Sequence, residues 1–184
     1  MTGLWVAFFS QTGGEIADIA EKLGRWPDLI ITNQRPAHLR TIDSRVVENG
    51  FETVSNKPTL EELSDQLGRF VPRATTITLH GWLRIMPPEL CKRYKIVNGH
   101  PGLITLFPEL KGKDPQIRAY EGIHNGKYNV AGTVIHEVTQ GVDEGKVLLE
   151  SEIWVDSKLS LSYFFLILKE KSIHLWLEYL RKVL

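Results

Sequence analysis

Apolar positions fall into short runs separated by polar, glycine-containing turns, and the runs switch between strand-like and helix-like spacing. Leu4-Trp5-Val6-Ala7-Phe8-Phe9 is continuous and stops at Ser10-Gln11-Thr12-Gly13-Gly14, the pattern of a buried strand and its turn. From residue 15 to 23, Ile16, Ile19, Ala20 and Leu23 recur at helical spacing. Residues 28–32 predict a second strand, closed by Asn33-Gln34-Arg35-Pro36. Residues 37–57 predict a helix and then a short strand near 51–54. Thr59 and Glu62 have the spacing of a capping box and open another helix. Residues 74–79, rich in β-branched side chains, predict a strand that runs into His80-Gly81-Trp82-Leu83-Arg84-Ile85-Met86-Pro87-Pro88, with a short helix over 89–94. Residues 95–98 predict a brief strand that delivers Gly99-His100-Pro101-Gly102 to a loop. Strands at 130–138 and 145–155 and a long helix over 159–183 complete the chain.

This alternation predicts an α/β fold built on a parallel sheet. Ligands of such sheets bind beyond the carboxyl ends of the strands, where the polar loops after Phe9, Leu79 and Asn98 are expected to meet.

Composition narrows the class. A chain of 184 residues suits one domain over 1–184, and 42% hydrophobic with 24% charged residues argues against disorder. Lys plus Arg equals Asp plus Glu at 22 each, so no nucleic-acid or membrane partner is expected. The single Cys91 excludes an internal disulfide, and with six histidines it makes no zinc-type spacing, so no metal is expected. The most apolar run, 163–168, ends at Lys169-Glu170-Lys171, far short of the roughly 20 residues that span a bilayer. The N-terminus lacks a secretory pattern, and a soluble cytoplasmic protein is expected. Oligomeric state is not set by the sequence.

Four places could carry chemistry. Asn98 and His100, two apart after a strand, point the same way in extended backbone, and an amide donor beside an imidazole suits oxyanion stabilisation and proton transfer. Turn chemistry alone explains Asn-Gly-His-Pro equally well. Asp143, in Gly141-Val142-Asp143-Glu144-Gly145, reads in isolation as a hairpin turn. Glu170 falls on a stripe of Leu166, Ile173, Leu177 and Leu180, so a partly buried carboxylate is expected there. Gly13-Gly14 before a helix suggests an anion site, but it lacks the Walker lysine and the GxGxxG pattern, and Glu15 adds negative charge.

Taken in order, Gly81-Trp82-Leu83-Arg84-Ile85-Met86, Asn98-Gly99-His100-Pro101-Gly102, Phe107-Pro108-Glu109-Leu110-Lys111-Gly112, Gly132-Thr133-Val134-Ile135-His136-Glu137-Val138 and the Gln140 to Gly145 segment resemble the 10-formyltetrahydrofolate-dependent formyltransferases. The similarity is greatest to their glycinamide ribonucleotide branch. It covers nearly the whole chain and is weakest over 37–74. The resemblance implies a single Rossmann-like domain with a mostly parallel central sheet, flanking helices and a long C-terminal helix. It further implies direct formyl transfer from 10-formyltetrahydrofolate to a small-molecule amine, in the purine pathway for the glycinamide branch. Asn98, His100 and Asp143 would be catalytic. Trp82, Leu83, Arg84, Ile85, Met86, Gln140, Gly141 and Val142 would hold the folate, and Thr12, Gly13, Gly14 and Glu170 the acceptor.

One loop departs from that family. Its glycinamide branch has G-x-G-S-N, with Ser and Asn on the substrate phosphate, where this chain has Gln11-Thr12-Gly13-Gly14-Glu15. A carboxylate there should repel phosphate. The acceptor therefore stays open between glycinamide ribonucleotide, the default, and an amino sugar, amino-nucleotide or amino acid. Formyltetrahydrofolate hydrolysis and an idle folate-binding module are the further alternatives.

Overall fold

A computed structural model describes residues 3–34 and 36–184; the predicted turn at Arg35 falls outside the described residues. The first apolar run forms β1 (Leu4–Phe9), buried on both faces. Trp5, Ala7 and Phe9 face one side, and Val6 and Phe8 face the other, as strand alternation requires. Helix α1 (Gly14–Leu23) follows, then β2 (Leu29–Thr32).

The poorly patterned stretch after β2 holds a 3-10 turn (Pro36–Thr41), the short helix α2 (Ser44–Asn49) and a two-residue β3 (Glu52–Thr53). Helix α3 (Leu60–Leu67) is capped by the Thr59 hydroxyl, which accepts the Glu62 N–H. The Glu62 carboxylate does not return to Thr59. It accepts from the Ser55 hydroxyl at 2.7 Å, so only half of the capping box forms. Strand β4 (Thr75–His80), helix α4 (Pro88–Arg93) and strand β5 (Lys95–His100) come next. Helix α5 (Pro115–His124), strands β6 (Val130–Glu137) and β7 (Val147–Trp154) and helix α6 (Leu161–Val183) end the chain.

The seven strands lie in the order β3-β2-β1-β4-β5-β6-β7. The first five are parallel, and β6 and β7 run antiparallel. This is the Rossmann-like, mostly parallel sheet that the sequence predicts. The chain crosses from one side of β1 to the other between β3 and β4, which opens a crevice at their carboxyl ends. Helices α1 and α6 pack one apolar layer, including Ile16, Ile19, Trp176 and Leu180, on one face of the sheet. Leu63, Leu67 and Leu90 from α3 and α4 pack Ile77, Leu79 and Ile96 on the other. A third cluster joins α5 and the first half of α6 through Ala119, Ile123, Phe164 and Leu168.

Two departures from the predicted pattern matter for the site. Strand β5 continues past Asn98 through His100, so Gly99 and His100 belong to the strand and not to the loop after it. The cause is β6, which pairs Asn98 with His136 and His100 with Val134 and supplies the backbone partners a turn would lack. Helix α5 carries no strong sequence signal beyond Pro115 in its first turn. Among the described residues, no helix is long and apolar enough to cross a membrane.

Candidate active site

The antiparallel register that extends β5 also assembles the polar centre of the crevice. Asn98 and His100 share a face by alternation, and His136 arrives opposite Asn98. Asp143 comes from the turn between β6 and β7, in the left-handed region at φ 52°, which aspartate tolerates better than most residues. Its Oδ2 lies 3.2 Å from His100 Nδ1 and accepts the Gly112 N–H at 2.8 Å. Its Oδ1 lies 3.3 Å from His136 Nε2.

Burial alone would raise the Asp143 pKa. Hydrogen bonds from His100 and His136, the charge of His100 and the Gly112 N–H outweigh burial and hold this carboxyl far below the usual range. His100 is buried, and its Nε2 donates to the Leu110 carbonyl at 3.0 Å. With a carbonyl at one ring nitrogen and a carboxylate at the other, the ring is satisfied only when both nitrogens carry hydrogen. His136 Nδ1 donates to the Glu137 carbonyl at 2.9 Å, and its Nε2 lies between the Asn98 amide nitrogen at 3.2 Å and Asp143 Oδ1 at 3.3 Å; a neutral ring accepts from Asn98 there, and a charged ring donates to Asp143. An amide carries two N–H groups, so Asn98 keeps at least one for the crevice beside its contact to His136. Sequence reasoning assigned no role to His136. The signal was its place in the antiparallel partner of β5, which spacing alone does not reveal.

The crevice is about 980 Å³. On one side Leu83, Ile85 and Val142 line it and stand open at 60%, 73% and 57% exposure, an apolar lip. Gln140 and Gly141 line the same wall. Trp82 and Met86 differ from the other residues predicted to hold a folate: both are buried, and Trp82 meets Phe8 edge-on at 5.2 Å. They form the floor of the slot and not its lip, because Phe8, Leu79 and Leu90 close around them. Arg84 turns its guanidinium to Asn56, 2.6 Å from the backbone oxygen and 2.7 Å from Oδ1.

On the other side lie Thr12, Gly13, Gly14, Glu15, His80, Lys169 and Ser172. Gly13 takes φ 73°, and the Thr12 hydroxyl accepts the Gly14 N–H. Glu15 turns inward from the first turn of α1. Its Oε2 accepts from His80 Nδ1 at 2.9 Å and its Oε1 from the Ser172 hydroxyl at 2.6 Å. Below it, His80 Nε2 meets the Thr78 hydroxyl at 2.9 Å, and that hydroxyl accepts the Trp5 indole N–H at 2.8 Å. Burial would raise the Glu15 pKa, but the bonds from His80 and Ser172 and the charges of His80 and Lys169 bring it below the usual range.

Glu170 requires a correction. It is exposed and does not line the crevice. Leu168 and Ser172, two residues either side, face inward, and two helical steps rotate a side chain by about 200°. The stripe through Leu166 and Glu170 therefore leaves the core at its N-terminal end, where Leu166 is exposed too. Lys169 and Ser172 occupy the crevice wall in its place.

Among the described residues, no group of three or more His, Cys, Asp and Glu side chains is placed to hold a metal ion. Fold and site together define a doubly wound α/β protein with a paired imidazole–carboxylate centre on β5 and β6, in the crevice that runs from its strand switch point. Residues 31–171 match the family described as formyl transferase, and the chain belongs to that family. It is 28% identical over 123 residues to a phosphoribosylglycinamide formyltransferase of Schizosaccharomyces pombe, covering 64% of this chain and 56% of that one. A Dictyostelium discoideum protein of the same name is 35% identical over 81 residues, 42% of this chain and 39% of that one. The chain thus spans between about two fifths and just over half of these relatives. The crystal structure of phosphoribosylglycinamide formyltransferase from Campylobacter jejuni shares the fold, with a TM-score of 0.79 at 24% identity over 100% of this chain and 98% of that one. Glycinamide ribonucleotide transformylase 1 from Geobacillus kaustophilus superposes equally well, with a TM-score of 0.79 at 22% identity and full coverage of both chains.

Proposed function

We propose that this chain is an N-formyltransferase that moves the formyl group of 10-formyltetrahydrofolate to a small-molecule amine. The observation that carries the reading is the Asn98–His136 and His100–Asp143 arrangement at the mouth of a crevice with one apolar lip. A flat pterin fits between Leu83, Ile85 and Val142 over the Trp82–Met86 floor, and backbone groups of 140–142 are at hand for its polar edge.

In this reading the free N–H of Asn98 donates to the formyl oxygen as negative charge develops there. The attacking amine forms a bond to the formyl carbon, and the bond from that carbon to the folate nitrogen breaks. His100 delivers a proton to the departing nitrogen, so in the reacting complex that nitrogen replaces the Leu110 carbonyl at Nε2. Asp143 stabilises the charged His100 ring as a carboxylate, and water relays the proton lost by the amine to this pair, which restores the hydrogen that His100 delivers.

The test is release of tetrahydrofolate from 10-formyltetrahydrofolate with and without an amine. Amine-dependent release is expected, and Asn98→Ala and His100→Ala should each lower it by about a hundredfold or more. Full activity in His100→Ala would sink the mechanism, and release that ignores the amine would point to hydrolysis.

A further inference from the structure

The crevice differs in chemistry from one side to the other. The wall opposite the apolar lip is polar, and Glu15 presents a carboxylate on it above the buried His80. Building on the formyltransferase reading, we propose that Glu15 selects the acceptor, and that the acceptor is a hydroxyl-bearing amine without a phosphate monoester.

The geometry supports a recognition role over a purely structural one. His80 and Ser172 each bind one oxygen of Glu15, and a carboxylate offers about four acceptor positions, so both oxygens can take another hydrogen bond. The side chain keeps 27% exposure while facing the crevice. His80 is itself anchored on Thr78, with its ring 4.5 Å from that of Trp176 and tilted by 44°, and so it holds the carboxylate toward the crevice. Ammonium and hydroxyl groups are the donors such an oxygen accepts.

His80 and Lys169 lower the Glu15 pKa through their charges, yet among the described residues no lysine or arginine pairs with this carboxylate directly. Among the described residues lining the crevice, the Arg84 guanidinium is taken up by Asn56, Lys113 Nζ lies 3.6 Å from Asp114, and Lys169 Nζ lies 2.7 Å from Asp18. The Gly14 N–H at the head of α1 already bonds Thr12. A phosphate monoester in this wall would face Glu15 directly and would have to draw Lys169 away from Asp18. Juxtaposed like charges in a recessed site are strongly disfavoured.

Phosphoribosylglycinamide and its dephosphorylated riboside differ only in the phosphate and make a matched pair of probes. Binding of each to the wild-type chain is measured by calorimetry, and turnover by tetrahydrofolate release. The riboside should bind and react at least about tenfold better, and Glu15→Gln should erase that preference while leaving the KM for the formyl donor unchanged. The wild-type comparison requires no variant to fold, and a thermal melt verifies the folding of Glu15→Gln. A wild-type preference for the phosphorylated compound, a preference unmoved by Glu15→Gln, or binding of neither compound overturns the proposal. Preferential riboside binding without any formyl release supports the selection by Glu15 and overturns the formyltransferase reading, so the two failures are distinct.

Discussion

Asp143 is the residue on which the rest of the centre depends, since one carboxylate touches both histidines and the Gly112 N–H. Its pKa is depressed from the ordinary 3.8, which fixes the sign of its pH effect. A depressed carboxyl contributes stability that is complete above its unfolded value and is lost as pH falls toward the folded one. Wild type should exceed Asp143→Asn by about 2 kcal/mol in urea denaturation at pH 7, and the gap should shrink steadily as pH falls below about 4, where the unfolded carboxyl protonates while the folded one stays ionised. A gap that stays constant or widens in acid would show that the contact is not ionic. The same residue illustrates a limit of local sequence. Asp in a Gly-x-Asp-x-Gly turn is ordinary, and only the register of β6 against β5 makes it a partner of His100.

Among the elements, β5 and α6 are coupled through Gly99, which faces away from Asn98 and His100 and lies under the Trp176 indole. A Cβ at this position would sit 2.8 Å from Trp176 Nε1 and 3.0 Å from its Cε2, and Trp176 is fully buried with no room to retreat. Gly99→Ala should therefore cost about 1–3 kcal/mol, the usual scale of overpacking, read as a lower urea midpoint at unchanged slope. An unchanged midpoint would mean that α6 can move off the sheet.

Most elements were legible because their apolar periods are clean. β1, β4 and α1 are built from runs with a single reading. Three features were not. Asn-Gly-His-Pro uses turn-forming residues, so the strand through His100 is visible only once β6 pairs with it. α5 buries only Ala119, Gly122 and Ile123, too few positions to mark a stripe. In α6 nearly every turn from Ser172 to Leu180 is buried, so several three- and four-residue stripes look apolar there, and extending the wrong one backward put Glu170 inside. The Glu15–His80 pair was hidden for another reason: 65 residues separate its members, and their contact follows from the adjacency of β1 and β4.

At the scale of the whole molecule, the strand order places chemically different walls on one crevice. The loop after β4 supplies Leu83 and Ile85, the turn before β7 supplies Val142, and the first turn of α1 with the middle of α6 supplies the polar wall. Exposed apolar side chains contribute little to the stability of the free protein, and Leu83, Ile85 and Val142 all line the crevice while staying exposed, as residues that a ligand covers would. Substituting one should then separate binding from folding. Ile85→Ser removes most of an apolar side chain that is 73% exposed, so its melting temperature should stay near that of wild type. If a folate ring covers that side chain, the lost burial is worth about 1–2 kcal/mol, and the KM for 10-formyltetrahydrofolate should rise by roughly tenfold with kcat little changed. An unaltered donor KM would move the folate away from this lip. A fall in kcat at constant KM would mean that the 83–85 loop acts on the reacting atoms through Asn98 and His100 instead of on the ring.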